Sequence, residues 1–196
     1  MQRPSLFTIT LPVLLGYIPL GITFGFLMVS QGIAWYIPIL FSIFVFAGAA
    51  QFLAVGLVVN HASLLDTAIA TFLINLRHVF YGLSLFDFLP HTWAKRLYFM
   101  FGITDETYSL LTTSKSANPS NALPIVALNQ SYWVAGTAIG ALLATSLPPI
   151  KGIEFSLTAL FVILLVEQIR ANHETKTVAM GILACLAATW LAPNYF

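Results

Sequence analysis

The sequence predicts an all-α integral membrane protein, a polytopic bundle of about seven transmembrane helices, some of them kinked or discontinuous. Three observations carry that expectation. Of 196 residues, 59% are hydrophobic and only 8% charged, where a soluble domain carries roughly 25% charged residues. Too few polar groups exist to cover a water-facing surface. The apolar residues also fall in long runs, close to the ~20 residues a spanning helix needs. The runs lack the two-residue alternation of an outer-membrane strand, so helices rather than a barrel are expected. A net charge of +1 without a basic patch points away from nucleic acid.

The first run, Leu11–Val29, follows "MQRPSLFTIT" and is read as a membrane helix. It is long enough to span, and no A-x-A cleavage site closes it as in a signal peptide. The others are Ile33–Val59, Ser63–Leu89, Leu97–Thr113, Ala122–Leu147, Ile153–Ile169 and Thr175–Leu191. Short breaks rich in turn residues separate them, among them Gln31-Gly32, Asn60-His61, Pro90-His91, Asn118-Pro119 and Pro148-Pro149. No linker is long enough to divide the chain, so residues 1–196 are expected to form a single transmembrane domain. Lys and Arg lie four against three on the two sides: Arg3, Lys115, Arg170 and Lys176 against Lys95, Arg96 and Lys151. That slight bias favours a cytoplasmic N-terminus. The single cysteine, Cys185, sits in an apolar run and is expected to be a small buried hydrophobe.

Several runs carry weak points. "GYIPLGITFG" places Pro19 inside a helix, inviting a kink, and sets Gly21 and Gly25 at GxxxG spacing. "FAGAAQF" puts Gly48 and polar Gln51 midway along the second run, and "GTAIG" repeats the GxxxG spacing in the fifth. Such glycines serve close helix packing. The other reading is broken helices that flank the midplane sites of secondary transporters.

Most charges fall near segment ends, where Asp66, Asp87, Lys151, Glu154, Glu167 and Arg170 reach headgroups or water. Arg77 and His78, in "NLRHVFYG", do not, and neither do Asp105 and Glu106, in "GITDETYSL". A charged side chain at the bilayer centre costs about 2.5–3.5 kcal/mol on insertion scales. Arg77 cannot shed its proton and needs an anion. Asp66 and Asp87 would lie about 15 Å away along a continuous helix, too far to pair. Only Asp105 or Glu106 has the right depth, so Arg77 is expected to pair with one of them. Two carboxylates then face one permanent cation and one histidine. Either His78 is charged or one carboxylate is spare, which makes Glu106 and His78 candidate proton carriers. Asn75, His78 and Gly82 share one helical stripe and Arg77, Tyr81 and Ser84 a neighbouring one, so this helix is expected to face the bundle interior. In "LNQSYW", the amides Asn129 and Gln130 suit interhelical bridging, and Trp133 suits a cavity wall or an interface.

No catalytic grammar is present: no HExxH, P-loop or GxSxG, and no metal-like spacing among the histidines at 61, 78, 91 and 173. Neither an enzyme nor a metal or cofactor site is expected. A transport site fits the residues better. Arg77 can grip a carboxylate bidentately, Asp105 or Glu106 can hold an ammonium, and Gly48 and Ala49 leave room for an aliphatic side chain.

Six stretches, "GYIPLGITFG", "FAGAAQF", "NLRHVFYG", "TDETYSL", "NQSYWVAGTAIGALL" and "FSLTALFVILLVEQ", together resemble in order the AzlC family, the large subunits of bacterial branched-chain amino-acid exporters. The resemblance covers about Leu11 to Leu191. It implies a multi-pass permease of the bacterial inner membrane that exports valine, leucine, isoleucine and methionine. It also implies a small hydrophobic partner of the AzlD type, and by extension energisation by protons. The positions that match are Pro19, Gly21, Gly25, Gly48, Gln51, Asn75, Arg77, His78, Asp105, Glu106 and Trp133. The competing expectation is a non-transporting membrane subunit whose buried charges lock helices or dock the partner. Relatives usually continue with more hydrophobic sequence beyond the Phe196 at which this chain stops.

Overall fold

The structure, a computed structural model, describes residues 5–114, 116–148, 150, 152, 155, 158, 159, 162, 166 and 175–191. The expected sixth segment falls largely outside these residues. So do Arg3, Lys115, Lys151, Glu154, Glu167 and Arg170, and the side chains of Lys176 and Cys185. Among the described residues the secondary structure is helical, without strands. The chain divides into two compact units, Met1–Ile153 and Glu154–Phe196.

In the first unit, α1 (Leu6–Ser30) begins where the Ser5 hydroxyl accepts the amide of Thr8. It continues unbroken through Pro12 and Pro19, so the expected weak point at Pro19 does not end the helix. The breaks lie elsewhere. The second segment divides into α2 (Tyr36–Phe44) and α3 (Gly48–Val59), parted by Val45-Phe46-Ala47. The third divides at Leu76 into α4 (Leu64–Asn75) and α5 (Arg77–Ser84), with a 3-10 turn at Phe86–Phe88. The fourth divides at Gly102-Ile103-Thr104 into α6 (Trp93–Phe101) and α7 (Asp105–Thr113). A Cβ at Gly102 would overlap the side chain of Val126, so glycine is what allows the neighbouring helix to approach this break. Thr104 then caps α7 through its hydroxyl. The fifth segment is α8 (Pro119–Ala144), longer at its start than expected. Asn118 and Asn121 form a capping box there, with Pro119 in the first turn. The second unit contains α9 (Thr175–Leu191), whose Met180, Leu183 and Trp190 are exposed.

Among the described residues, only α1 is both long and apolar enough to cross a membrane as one helix. Discontinuity, expected of some of the helices, is found among the described residues. The second to fourth segments are interrupted, and α8 carries Asn121, Asn129 and Gln130.

Helices α1 and α8 pack along their glycines. A Cβ at Gly21 would lie 2.8 Å from the Trp133 carbonyl, and one at Gly136 would lie 2.7 Å from the Ile18 carbonyl. A Cβ at Gly25 would overlap the Thr137 carbonyl, and one at Gly140 the Ile22 carbonyl. The contacts are reciprocal under one constant shift in sequence, which pairs Ile18 with Trp133, Gly21 with Gly136, Ile22 with Thr137 and Gly25 with Gly140. They also advance in the same sense on both helices, so α1 and α8 run parallel, related by a local pseudo-two-fold axis. Around them lies an aromatic core in which Phe24 stacks on Trp133 and meets Phe52 edge-on. A second cluster joins Ile9, Phe99, Ile103, Leu111, Ile125 and Val126. Outward-facing positions are strongly apolar: Leu64, Phe72, Phe80, Leu83 and Phe86 are all exposed, as lipid contact requires and water disfavours.

Candidate functional site

Two of the three helix breaks bring the charged residues together. Arg77 opens α5 and Asp105 opens α7. The guanidinium Nη1 makes an ion pair with Asp105 Oδ2, so one of the two carboxylates of matching depth does meet the arginine. Asp105 Oδ1 accepts from the Tyr81 hydroxyl at 2.6 Å, and the Tyr81 ring stacks on Tyr108 at 4.5 Å. The pair is partly accessible, with side-chain exposures of 37% for Arg77 and 30% for Asp105. Yet Arg77 Nε is buried and has no hydrogen-bond partner among the described residues. Asp66 has a different occupation, since it accepts from Ser63 at the start of α4.

Glu106 does not share the arginine. Its Oε2 accepts from the buried Tyr17 hydroxyl of α1 at 2.7 Å. Both carboxylates occupy the first turn of α7, where backbone N–H groups point toward them and the helix dipole favours negative charge. From Tyr17 the hydrogen bonds continue inward. Tyr17 lies 2.5 Å from Thr104 Oγ1, Thr104 donates to Thr107 at 3.1 Å, and Asn129 Nδ2 donates to Thr107 at 2.9 Å. Asn129 is completely buried, and its Oδ1 has no partner among the described residues.

Asn75 and His78 have local roles. The Asn75 amide donates to the Thr71 carbonyl one turn back, and His78 Nδ1 lies 3.0 Å from the Asn75 carbonyl across the Leu76 break. His78 also lines an open cavity of about 370 Å³ with Val79, Gly82, Met100 and Ile103, nearly all apolar. Gln51 and Trp133 meet each other instead of the charges. The indole Nε1 donates to Gln51 Oε1 at 2.7 Å, and both side chains are buried. Trp133 therefore sits in the aromatic core, reaching the charged cluster only through its edge-on contact with Tyr17 at 5.3 Å. Gly48 does not leave the room expected of it, because a Cβ there would stand 3.2 Å from the tip of that indole. Pro19, Gly21 and Gly25 lie on α1, and the two glycines are consumed by packing against α8. The bridging expected of the amides is present at Gln130, which accepts from Tyr98 and donates to the Ile43 carbonyl at the end of α2.

Tyr17, Thr104 and Thr107 belong to the cluster without having stood out in the sequence, whereas Tyr81 shares the polar stripe of Arg77. For Tyr17 a signal existed: with Gly21 and Gly25 it forms one helical stripe at four-residue spacing. Among the described residues no group of three or more His, Cys, Asp or Glu side chains could hold a metal.

Comparison with known proteins bears on this arrangement. The sequence profile described as AzlC protein matches residues 12–147. A membrane protein of Helicobacter pylori strain J99 is 36% identical over 91% of this chain and 82% of its own length. The branched-chain amino acid transport protein AzlC of Bacillus subtilis is 35% identical over 84% of this chain and 66% of its own. The inner membrane protein YgaZ of Escherichia coli is 28% identical over 93% and 79%. No solved structure matches. The profile covers most of the chain and the relatives most of its length, so the chain belongs to the AzlC family of membrane proteins.

Proposed function

We propose that this chain is the permease subunit of a secondary transporter that exports branched-chain amino acids, and methionine, across the bacterial inner membrane. The buried, unpartnered Nε of Arg77 carries the reading. An arginine whose Nη1 is engaged by Asp105 while a second donor stands empty is poised to exchange partners. An amino-acid carboxylate would take both donors of the fork, and the substrate ammonium would take the released Asp105. The exchange leaves the net charge of the site unchanged, so neither the empty nor the loaded site strands a charge in the membrane. The cavity beside His78 has the apolar wall an aliphatic side chain requires, and its volume lies near the lower end of ligand pockets. The name of the B. subtilis relative supports the substrate class. A small AzlD-type partner subunit, a multi-pass topology and a single domain over residues 1–196 belong to the same proposal.

Valine efflux from loaded vesicles, with the partner subunit present, tests it. Wild type should release valine, leucine and isoleucine but not lysine or glutamate, and Arg77→Ala should reduce release at least tenfold. Equal release by Arg77→Ala, or no amino-acid-dependent release by wild type, would favour a structural subunit in which the pair merely locks α5 to α7.

A further inference from the structure

We propose that Glu106, Tyr17, Thr104, Thr107 and Asn129 form an intramembrane proton site: Glu106 takes up one proton, the hydroxyl chain reverses its direction of donation, and the Asn129 amide closes the chain in both states. It rests on the transport reading only for the use made of that proton.

Counting protons along the chain carries the inference. Four contacts link the five groups, from Glu106 to Tyr17, Thr104, Thr107 and Asn129 in turn, at 2.7, 2.5, 3.1 and 2.9 Å. The three hydroxyls supply three protons, so one more must come from an end of the chain. With Glu106 ionised, the Asn129 N–H supplies it, and every link donates toward the carboxylate. With Glu106 protonated, the carboxyl supplies it, every link donates away from Glu106, and the chain must end on an acceptor. Asparagine is both donor and acceptor and completes either order. Tyr17, Thr104, Thr107 and Asn129 are all buried away from bulk solvent.

The structure holds the chain between these orders. Thr104 and Asn129 Nδ2 both donate to Thr107 Oγ1. The Thr107 proton then has no acceptor among the described residues, while Asn129 Oδ1, beside it, has no donor. Protonating Glu106, turning the Tyr17 hydroxyl from Glu106 to Thr104 and turning the amide over completes the protonated order. Turning the two threonine hydroxyls completes the ionised one. No covalent bond changes except the O–H formed on Glu106.

The charged neighbours of Glu106 are engaged with each other. On its own helix Asp105 is neutralised by Arg77 of α5 and accepts from Tyr81. From α1 it meets Tyr17, and α8 brings Asn129 and no titratable group to the chain. His78 lies beyond Tyr81, with ring centres 5.5 Å apart.

Infrared difference spectra of the protein in lipid vesicles, taken between acid and alkaline pH without any amino acid, read Glu106 directly. A carboxylic C=O band should appear on acidification and vanish in Glu106→Gln. Tyr17→Phe, which keeps the ring against Trp133, and Asn129→Leu should each move its midpoint by at least one pH unit, a tenfold change in proton activity. Thr107→Val serves where either variant fails to fold. Ser131→Ala, on a hydroxyl that among the described residues bonds only to the Leu128 carbonyl of its own helix, should leave the midpoint unchanged. No Glu106-dependent band at any accessible pH, or a midpoint unmoved by the chain variants, overturns the proposal. A titrating band in a protein that fails to move valine would uphold the proton site and sink the substrate reading.

Discussion

At the scale of single residues the molecule solves one problem, an arginine that cannot lose its charge set among apolar helices. Asp105 answers it, and Tyr81 orients Asp105. The pair is about two-thirds buried, so removing one partner costs less than the ~3–5 kcal/mol of a fully buried pair. Arg77→Ala and Asp105→Ala should both lose transport while still inserting. The double exchange Arg77→Asp with Asp105→Arg should recover part of it, measured as valine efflux against the single variants. Two dead single variants with an equally dead exchange would mean the contact serves something other than charge balance. Buried neutral groups behave differently. Trp133→Phe keeps the aromatic packing but leaves Gln51 Oε1 without its 2.7 Å donor, which costs about 1–3 kcal/mol. That variant should unfold at a lower temperature in detergent with little effect on substrate selectivity. The pairing of Arg77 was legible in the sequence because charge and depth leave few partners. The roles of Gln51 and Trp133 were not. Two polar groups in separate apolar runs look equally functional until the fold shows that they satisfy each other.

At the scale of elements, the glycines separate into those that are filled and those that are free. Gly25 and Gly140 each stand against a backbone carbonyl of the facing helix, and a carbonyl cannot swing aside as a side chain can. Gly25→Ala and Gly140→Ala should push α1 and α8 apart, at the ~1–3 kcal/mol typical of overpacking or more. Gly16 has nothing within 4 Å of its would-be Cβ. Gly16→Ala should therefore be neutral or stabilising by up to about 1 kcal/mol. Unfolding temperatures of the three variants in one detergent test this, and equal temperatures would contradict the packing. Spacing alone revealed that these glycines mattered and favoured packing, yet it left helix breaking open. The breaks themselves proved hard to read. Proline, the usual sign, lies inside α1 without ending it, whereas the chain parts at Val45-Phe46-Ala47 and at Gly102-Ile103-Thr104. What makes these breaks tolerable differs: at the first, Gln130 of α8 takes the Ile43 carbonyl, and at the second Thr104 caps α7 locally. Neither partner can be found by scanning hydropathy.

At the scale of the whole molecule, apolar content and the exposed apolar flanks of α4 and α5 fit a bilayer, while hydropathy counts fewer spans than the chain has apolar runs. The parallel packing of α1 and α8 resolves part of that discrepancy. Two parallel helices that both cross a membrane have their N-terminal ends on the same side. The chain that leaves α1 at Ser30 and enters α8 at Pro119 must then cross an odd number of times. Three interrupted segments lie between them, and three crossings satisfy the rule although none of the pieces is long enough alone. Helix breaks within a crossing are acceptable where other helices or side chains take up the freed backbone groups, as Gln130 does for Ile43. The proposed multi-pass arrangement therefore predicts a labelling pattern. The native cysteine is first replaced by alanine, and single cysteines are then placed at Ser5, Gln31, Ser120 and Ser146. Ser5 and Ser120 should react with a membrane-impermeant maleimide from one side, and Gln31 and Ser146 from the other. If Gln31 and Ser146 react from opposite faces, α1 and α8 do not both span in the same sense, and the three-crossing arrangement of the interrupted segments falls with them.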